Sequence, residues 1–424
     1  MAVIATDIHR TIDAVWRIES PRLIAGLMRI VRDLGLAEDL AQDALVAALE
    51  QWPESGVPDN PGAWLMATAK HRAIDSFRRK QLLVRKHEEL GRDIETRQMS
   101  MPDFNANLDD NIGDDLLGLV FIACHPVLST EARTALTLRL LGGLKTDEIA
   151  RAFLLPEPTI AQRIVRAKRT LSDAHVPFEV PRGAELIARL SSVLEVIYLI
   201  FNEGYSATAG GDWMRPALCE DAIRLGRVLA ELAPREAEAH GLVALMEIQA
   251  SRVKARVGPT GEPILLFDQD RGKWDQLLIH RGLTALDRAE KLGARRGPYT
   301  IQAAIAACHA RAHIPEETDW TRIVSLYDEL AELSPSPVVQ LNRAVAVALA
   351  SGPAAGFELT EKLTSESSLK NYHLLPSVRG DLLTKLGRLA EARAEFERAA
   401  TLTQNARERD LLLARAEKLP NRVD

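Results

Sequence analysis

Residues 61–80, PGAWLMATAKHRAIDSFRRK, bring Lys70, Arg72, Arg78, Arg79 and Lys80 together with Trp64 and Phe77. Cationic side chains neutralise a phosphate backbone, and an aromatic face holds an unstacked base. That is the chemistry of binding rather than of bond making. Trp64, Ala67, Ile74 and Phe77 recur at helical spacing, so the stretch predicts a helix with one side inward and the basic side outward. Pro61 suits its first turn. After Lys70 the pattern stumbles at His71–Arg72. This predicts a polar turn between two short helices, placed to offer both side chains to an extruded base. An ordinary amphipathic helix with a solvated basic face has the same composition, so the neighbours decide.

A second basic cluster lies in LKTDEIARAFLLPEPTIAQRIVRAKRTL, residues 144–171. Thr146 caps a short helix, Asp147 and Glu148 fill its first turn, and Ile149 and Phe153 face inward. The turn LLPE follows, and Pro158 opens a second helix. On it Ile160, Ile164, Ala167 and Leu171 share one face. Thr159, Gln162, Arg163, Arg166 and Arg169 share the other, with Lys168 flanking. A bracing helix, a short turn and a basic helix make a helix-turn-helix, whose second helix enters the major groove. Arg and Gln read base edges with two hydrogen bonds each.

The elements that would position these clusters come before and between them. Residues 11–30 predict an apolar helix broken near Pro21. LAEDLAQDALVAALEQWP, residues 36–53, predicts a helix with Leu36, Leu40, Ala44, Ala47 and Ala48 on one face and Glu38, Asp39, Gln42 and Asp43 on the other. That acidic face is either solvated or a dock for a basic helical partner. Residues 91–115 hold seven acids against Arg92 and Arg97, with Pro102 and no periodicity, and read as a flexible linker. Helices are predicted over 116–124 and from Ser129–Thr130, a good N-cap pair, to Gly142–Gly143.

The totals bound the reading. A chain of 424 residues implies more than one domain. Few aromatics and much Ala, Leu, Arg and Glu favour an all-α fold. The net charge of −6 leaves nucleic-acid binding to local patches. Cys124, Cys219 and Cys308 are too far apart for a disulfide framework or paired metal ligands, which fits a reducing cytoplasm. Cys124–His125 alone makes a poor metal site. No signal peptide, membrane span, phosphate loop or nucleophile motif is visible, so the expectation is a protein with no enzymatic activity and no cofactor.

From Pro181 onward the chain reads as helix after helix. GDLLTKLGRLAEARAEFERAATLTQ follows the tetratricopeptide pattern, with Gly380, Gly387, Ala392, Phe396 and Ala399 at the positions needed for close helix packing. CEDAIRLGRVLAELAP and TRIVSLYDELAELSP keep part of the same spacing. Such repeats stack into a solenoid. Two loops stand out, Asn202–Trp213 and Phe267–Asp275. Their simpler reading is that Asp212 and Asp270 cap helices while Trp213 and Trp274 anchor loops; the alternative is contact with a ligand or partner.

The order of these motifs resembles the two conserved domains of extracytoplasmic-function sigma factors, the promoter-specificity subunits of bacterial RNA polymerase. The resemblance implies a region 2 over 8–90, the linker 91–115, a helix-turn-helix region 4 over 116–178 and a tetratricopeptide-like regulatory domain over 181–424. It assigns Asp39, Leu40, Gln42 and Asp43 to the β′ clamp helices. It assigns Trp64, Lys70, His71, Arg72, Asp75, Arg78 and Arg79 to the −10 element. Thr159, Gln162, Arg163, Arg166, Lys168 and Arg169 fall to the −35 element, with the β flap as a further partner. A subgroup with a long helical extension carries strings similar to Tyr198–Thr208, Asp268–Asp275 and Ser336–Ala348. The competing reading is a helix-turn-helix regulator with a repeat-based sensor that never joins the polymerase.

Overall fold

The computed structural model describes residues 2–89, 112–153, 155–207, 209–210, 212–259 and 261–420. Among them it contains eighteen α-helices and two strands of two residues each. The linker reading over 91–111 lies outside the described residues. Residues 112–115 belong to a helix, not to the linker. No described helix is long and apolar enough to cross a membrane. The chain divides into two compact units, residues 1–196 and 197–424.

In the N-terminal unit, α1 (Ala2–Val31) is one continuous helix with Pro21 inside it, where a break near Pro21 is expected. Ile12 before the proline and Leu23, Ile24 and Leu27 after it are all at most 3% exposed. Burial on both sides of Pro21 outweighs the roughly 3 kcal/mol that an internal proline costs. Asp33 caps α2 (Leu34–Ser55), its Oδ1 accepting from the Leu36 N–H at 2.7 Å. α3 (Pro61–Glu89) is also continuous, and the expected turn at His71–Arg72 is absent. Ala69 and Ala73 are fully buried, so the inward face runs straight through the polar pair. These three helices pack on one another.

Next come α4 (Ile112–Ala123) and α5 (Thr130–Leu140), the latter capped by Ser129 as its sequence predicts. α6 (Thr146–Phe153) and α7 (Glu157–Asp173) complete the helix-turn-helix. The turn before α6 needs Gly143. Its φ is +69°, and a Cβ there would lie 3.1 Å from the Arg17 backbone of α1. The first half of α8 (Ala184–Tyr205) packs on this unit, although its sequence falls after the expected boundary at 181. Arg189 donates to the Phe121 carbonyl at 2.9 Å, and Ser192 to that of Cys124 at 2.7 Å.

The C-terminal unit runs from the second half of α8 through α9 (Pro216–Leu232), α10 (Ala237–Ala250), α11 (Gln276–Leu292), α12 (Pro298–Arg311) and α13 (Trp320–Leu333). It ends with α14 (Pro337–Ser351), α15 (Pro353–Leu363), α16 (Leu374–Lys385), α17 (Leu389–Leu402) and α18 (Ala406–Glu417). From α9 onward each helix packs on the next; most connections are short, but residues 251–275 form a long segment between α10 and α11. The predicted interlock of α16 and α17 is present. A Cβ on Gly380 would sit 2.7 Å from the Phe396 ring. Beyond the expected stacking, the two ends of this array are tied. β1 (Ala209–Gly210) pairs in parallel with β2 (Gln404–Asn405). The buried Asn405 amide donates to the Ala207 and Asp212 carbonyls at 2.9 and 2.8 Å.

Candidate nucleic-acid interface

α7 presents the face its sequence describes. Ile160, Ile164, Ala167 and Leu171 are buried, while Thr159, Gln162, Arg166 and Arg169 are exposed. Arg163 is half-buried beside Glu131 of α5, whose carboxyl is held below the usual range. The leading causes there are its own backbone N–H and the Ser129 hydroxyl, with Arg163 adding to them. Arg169 pairs with Asp173 one turn along at 3.5 Å, both side chains well exposed. Among the described residues of α7, four of the six predicted base readers thus stand on one open polar face. A shallow groove runs beside them, lined by Ser129, Ala132, Thr159, Gln162, Arg163 and Thr170.

Lys168 is the exception. Its ammonium pairs with Glu38 of α2 and is only 21% exposed in its side chain. Arg139 of α5 meets the same carboxylate from the other side, Nε to Oε1 at 2.7 Å. Glu38 itself is 3% exposed. Burial on its own would raise the Glu38 pKa; Lys168 and Arg139 outweigh it and hold the carboxyl below its ordinary range. Sequence reading places Glu38 on the acidic face, solvated or a dock for a partner. The signal was there: Leu34, Ala37, Ala41 and Ala44 are buried at helical spacing, and Glu38 falls on that stripe.

The rest of the predicted acidic face divides. Asp39 and Asp43 are exposed, Leu40 is buried, and Gln42 is half-buried and donates to Glu38 at 2.7 Å. Leu40 therefore works through packing in this structure and not as a surface group. Asp43 pairs with Arg72 of α3 at 3.6 Å, joining a predicted polymerase contact to a predicted −10 contact.

On α3, Trp64 is half-buried and stands edge to face against the buried Trp52, ring centroids 5.3 Å apart. Its indole is thus braced from α2. His71, Asp75 and Arg78 are exposed, and Lys70 is half-buried. The Arg79 and Phe77 side chains lie outside the described residues.

Further ion pairs hold α1 to the helix-turn-helix side. Arg29 meets Asp115 at 3.5 Å, Arg17 meets Glu148 at 3.0 Å, and Lys145 meets Asp13 at 3.3 Å. Among the described residues, no group of three His, Cys, Asp or Glu side chains is placed to hold a metal. The Cys124 thiol is buried, pushed up to about 11 chiefly by that burial, and touches the Thr137 hydroxyl at 3.3 Å.

Comparison with known proteins agrees with the order of these parts. The family model described as Sigma-70 region 2 matches residues 16–82. That described as Sigma-70, region 4 matches 119–171. A family of unknown function (DUF6596) matches 189–290. An uncharacterized protein, R00370, of Rhizobium meliloti (strain 1021) is 44% identical over 390 residues, covering 92% of this chain and 91% of its own.

Proposed function

The chain belongs to the sigma-70 family, as a sigma factor like the extracytoplasmic-function type with a C-terminal extension, and from that premise we propose how its helices divide promoter recognition. Its partners are RNA polymerase core and promoter DNA. α2 offers Asp39, Gln42 and Asp43 to the β′ clamp helices. α3 opens the −10 element with Trp64, Lys70, His71, Arg72 and Arg78. α7 reads the −35 element with Thr159, Gln162, Arg163, Arg166 and Arg169, while the β flap supports region 4. The helical C-terminal unit regulates this activity or binds a partner, without catalytic chemistry of its own.

The observation that carries the reading is the open, acid-free face of α7 between Thr159 and Thr170, following a region 2 match in the same chain. One consequence concerns Glu38. Elements centred near −10 and −35 lie about 25 base pairs apart, on the order of 85 Å of duplex. In the structure α2 and α7 meet at one carboxylate. Engaging both elements therefore requires the Glu38 clasp to open.

Run-off transcription with purified core polymerase and the full-length chain tests the assignment. Transcription from a cognate promoter that disappears in an Asp39→Ala, Asp43→Ala double variant, together with core association, is the expected result. A chain that binds DNA but never co-purifies with core would be a free-standing helix-turn-helix regulator.

A further inference from the structure

The two loops that stand out in the sequence, 202–213 and 267–275, converge in the C-terminal unit on the segment after α10. Three arginines meet there over shared aromatic faces. The Arg256 guanidinium lies 3.6 Å from the Tyr205 ring centroid and 5.6 Å from that of Trp213. Arg252 lies 5.8 Å from Tyr205 and 5.8 Å from Trp274. Arg271 lies 4.9 Å from Trp274.

Positive charge is gathered here without its complement. Arg271 spends its terminal nitrogens on the His309 and Ala312 carbonyls, at 2.8 and 2.6 Å, and on the Thr318 hydroxyl at 3.3 Å. Arg252 donates to the neutral Gln249 amide. None of the three arginines forms an ion pair with a described carboxylate. Several of the acids nearby are employed elsewhere. Asp270 and Asp275 accept backbone N–H groups of their own turns, and Glu203 pairs with Arg215. Glu316 and Glu317 act on Arg271 only at a distance.

Five N–H donors are left over. Arg252 Nε, Arg256 Nη1, Arg271 Nε and the indole nitrogens of Trp213 and Trp274 are buried with no hydrogen-bond acceptor. Arg256 as a whole is 7% exposed. Burial, opposed by Tyr205 and reinforced by Arg252, pulls its pKa below the ordinary arginine range. Aromatic faces offset part of the cost of such a cation, but they accept no N–H in its plane. Arg252, Arg271, Tyr205 and Trp213 each keep some exposed surface, so the cluster is not sealed.

We propose that Arg252, Arg256 and Arg271, with the Trp213 and Trp274 indoles, form a binding site for a phosphate-bearing small molecule. The same loop also holds an unpartnered buried acceptor, Gln269 Oε1, but it is neutral; several guanidinium forks still call for a ligand rich in acceptors and carrying more than one negative charge. A monocarboxylate supplies one charge to three cations; a phosphate monoester or diphosphate supplies more. The site is independent of the promoter-binding assignment, since it lies in the C-terminal unit and its test needs neither polymerase nor DNA.

Calorimetric titration of the full-length chain with inorganic pyrophosphate, ADP and acetate tests it. Saturable binding of pyrophosphate or ADP, but not acetate, is expected. Tighter binding of ADP marks a nucleoside diphosphate, and tighter binding of pyrophosphate a bare phosphate group; both support the site. Arg252→Gln and Arg271→Gln are partly exposed and should fold, as circular dichroism will check. Each should weaken binding on the order of tenfold to a hundredfold. Arg166→Ala, on α7, should leave it unchanged. No saturable binding by the wild-type chain, equal binding by both glutamine variants, or a loss confined to Arg166→Ala would overturn the proposal.

Discussion

Lys168, on the helix that carries the predicted −35 readers, is paired with Glu38, on the helix that carries the predicted polymerase contacts. Arg139 completes the triad at 2.7 Å. Removing the carboxylate leaves two cations in a poorly solvated site. Glu38→Gln should lower the unfolding free energy by about 3 kcal/mol in urea denaturation. Its pH dependence follows from the depressed Glu38 pKa. The pair's contribution is complete above the unfolded value of 4.5 and is lost as pH falls through the lower folded value. Wild-type stability should therefore fall faster than that of Glu38→Gln on acidification below 4.5; parallel curves would contradict the triad.

Opening the clasp is the second quantity to measure. If α2 and α7 must part before both promoter elements are held, the free energy of the docked form opposes promoter binding. Arg139→Gln weakens that form while leaving every predicted DNA and polymerase contact in place. Run-off transcription should rise, on the order of twofold to tenfold, for about 0.4–1.4 kcal/mol of relief. A fall in transcription with intact folding would show that docking assists initiation.

Much of this arrangement was legible in the sequence, because hydrophobic spacing and capping act locally. The buried stripe of α7, the Ser129 cap and the Gly380–Phe396 contact all follow from residues a few turns apart. What was illegible depended on distant residues. The helix breaks expected at Pro21 and at His71–Arg72 vanish because packing on neighbouring helices overrides local preference. The loop expectations divided likewise. Asp270 caps a short turn and Trp274 is buried, but Asp212 caps no described helix; its carbonyl serves Asn405, far along the chain. Helical spacing sets Lys168 on the flank of the polar face, but nothing local marks its partner, since Glu38 lies far earlier in the chain.

The α7 face gives a prediction of specificity. Arg166 is exposed and Arg163 half-exposed on the polar side. Arg166→Ala or Arg163→Ala should each cost roughly 1–3 kcal/mol of promoter binding if the side chain contacts a base edge, with relaxed preference at one base pair. A phosphate contact would instead weaken all sequences alike and reduce the salt dependence. Footprinting across single-base −35 variants separates the two, and unchanged binding by both mutants would remove α7 from the reading role.

In the C-terminal unit, Gly380 tests the helix interlock. A methyl group there would stand 2.7, 2.9 and 3.0 Å from three carbons of the Phe396 ring. Phe396 is 1% exposed, so its ring has little room to turn. Gly380→Ala should destabilise by about 1–3 kcal/mol despite the better helix propensity of alanine. Recovery on adding Phe396→Leu would identify the clash as the cause.

His309 offers a final measurement, beside the arginine cluster. Burial, with Arg252 and Arg271 adding repulsion, lowers its pKa from 6.5 to about 4. Between those values the unfolded chain holds a proton that the folded chain refuses, so acidification favours unfolding. Stability should drop by up to about 3 kcal/mol as pH falls from 7 to 4 on this account alone. His309→Gln cannot take up that proton, and its stability should be flatter across the same window. Any bound polyanion would partly cancel the two guanidinium charges and raise the folded pKa. Wild-type melting curves recorded with pyrophosphate should then lose part of their slope between pH 6.5 and 4, whereas those of Arg252→Gln should respond less at the same pyrophosphate concentration.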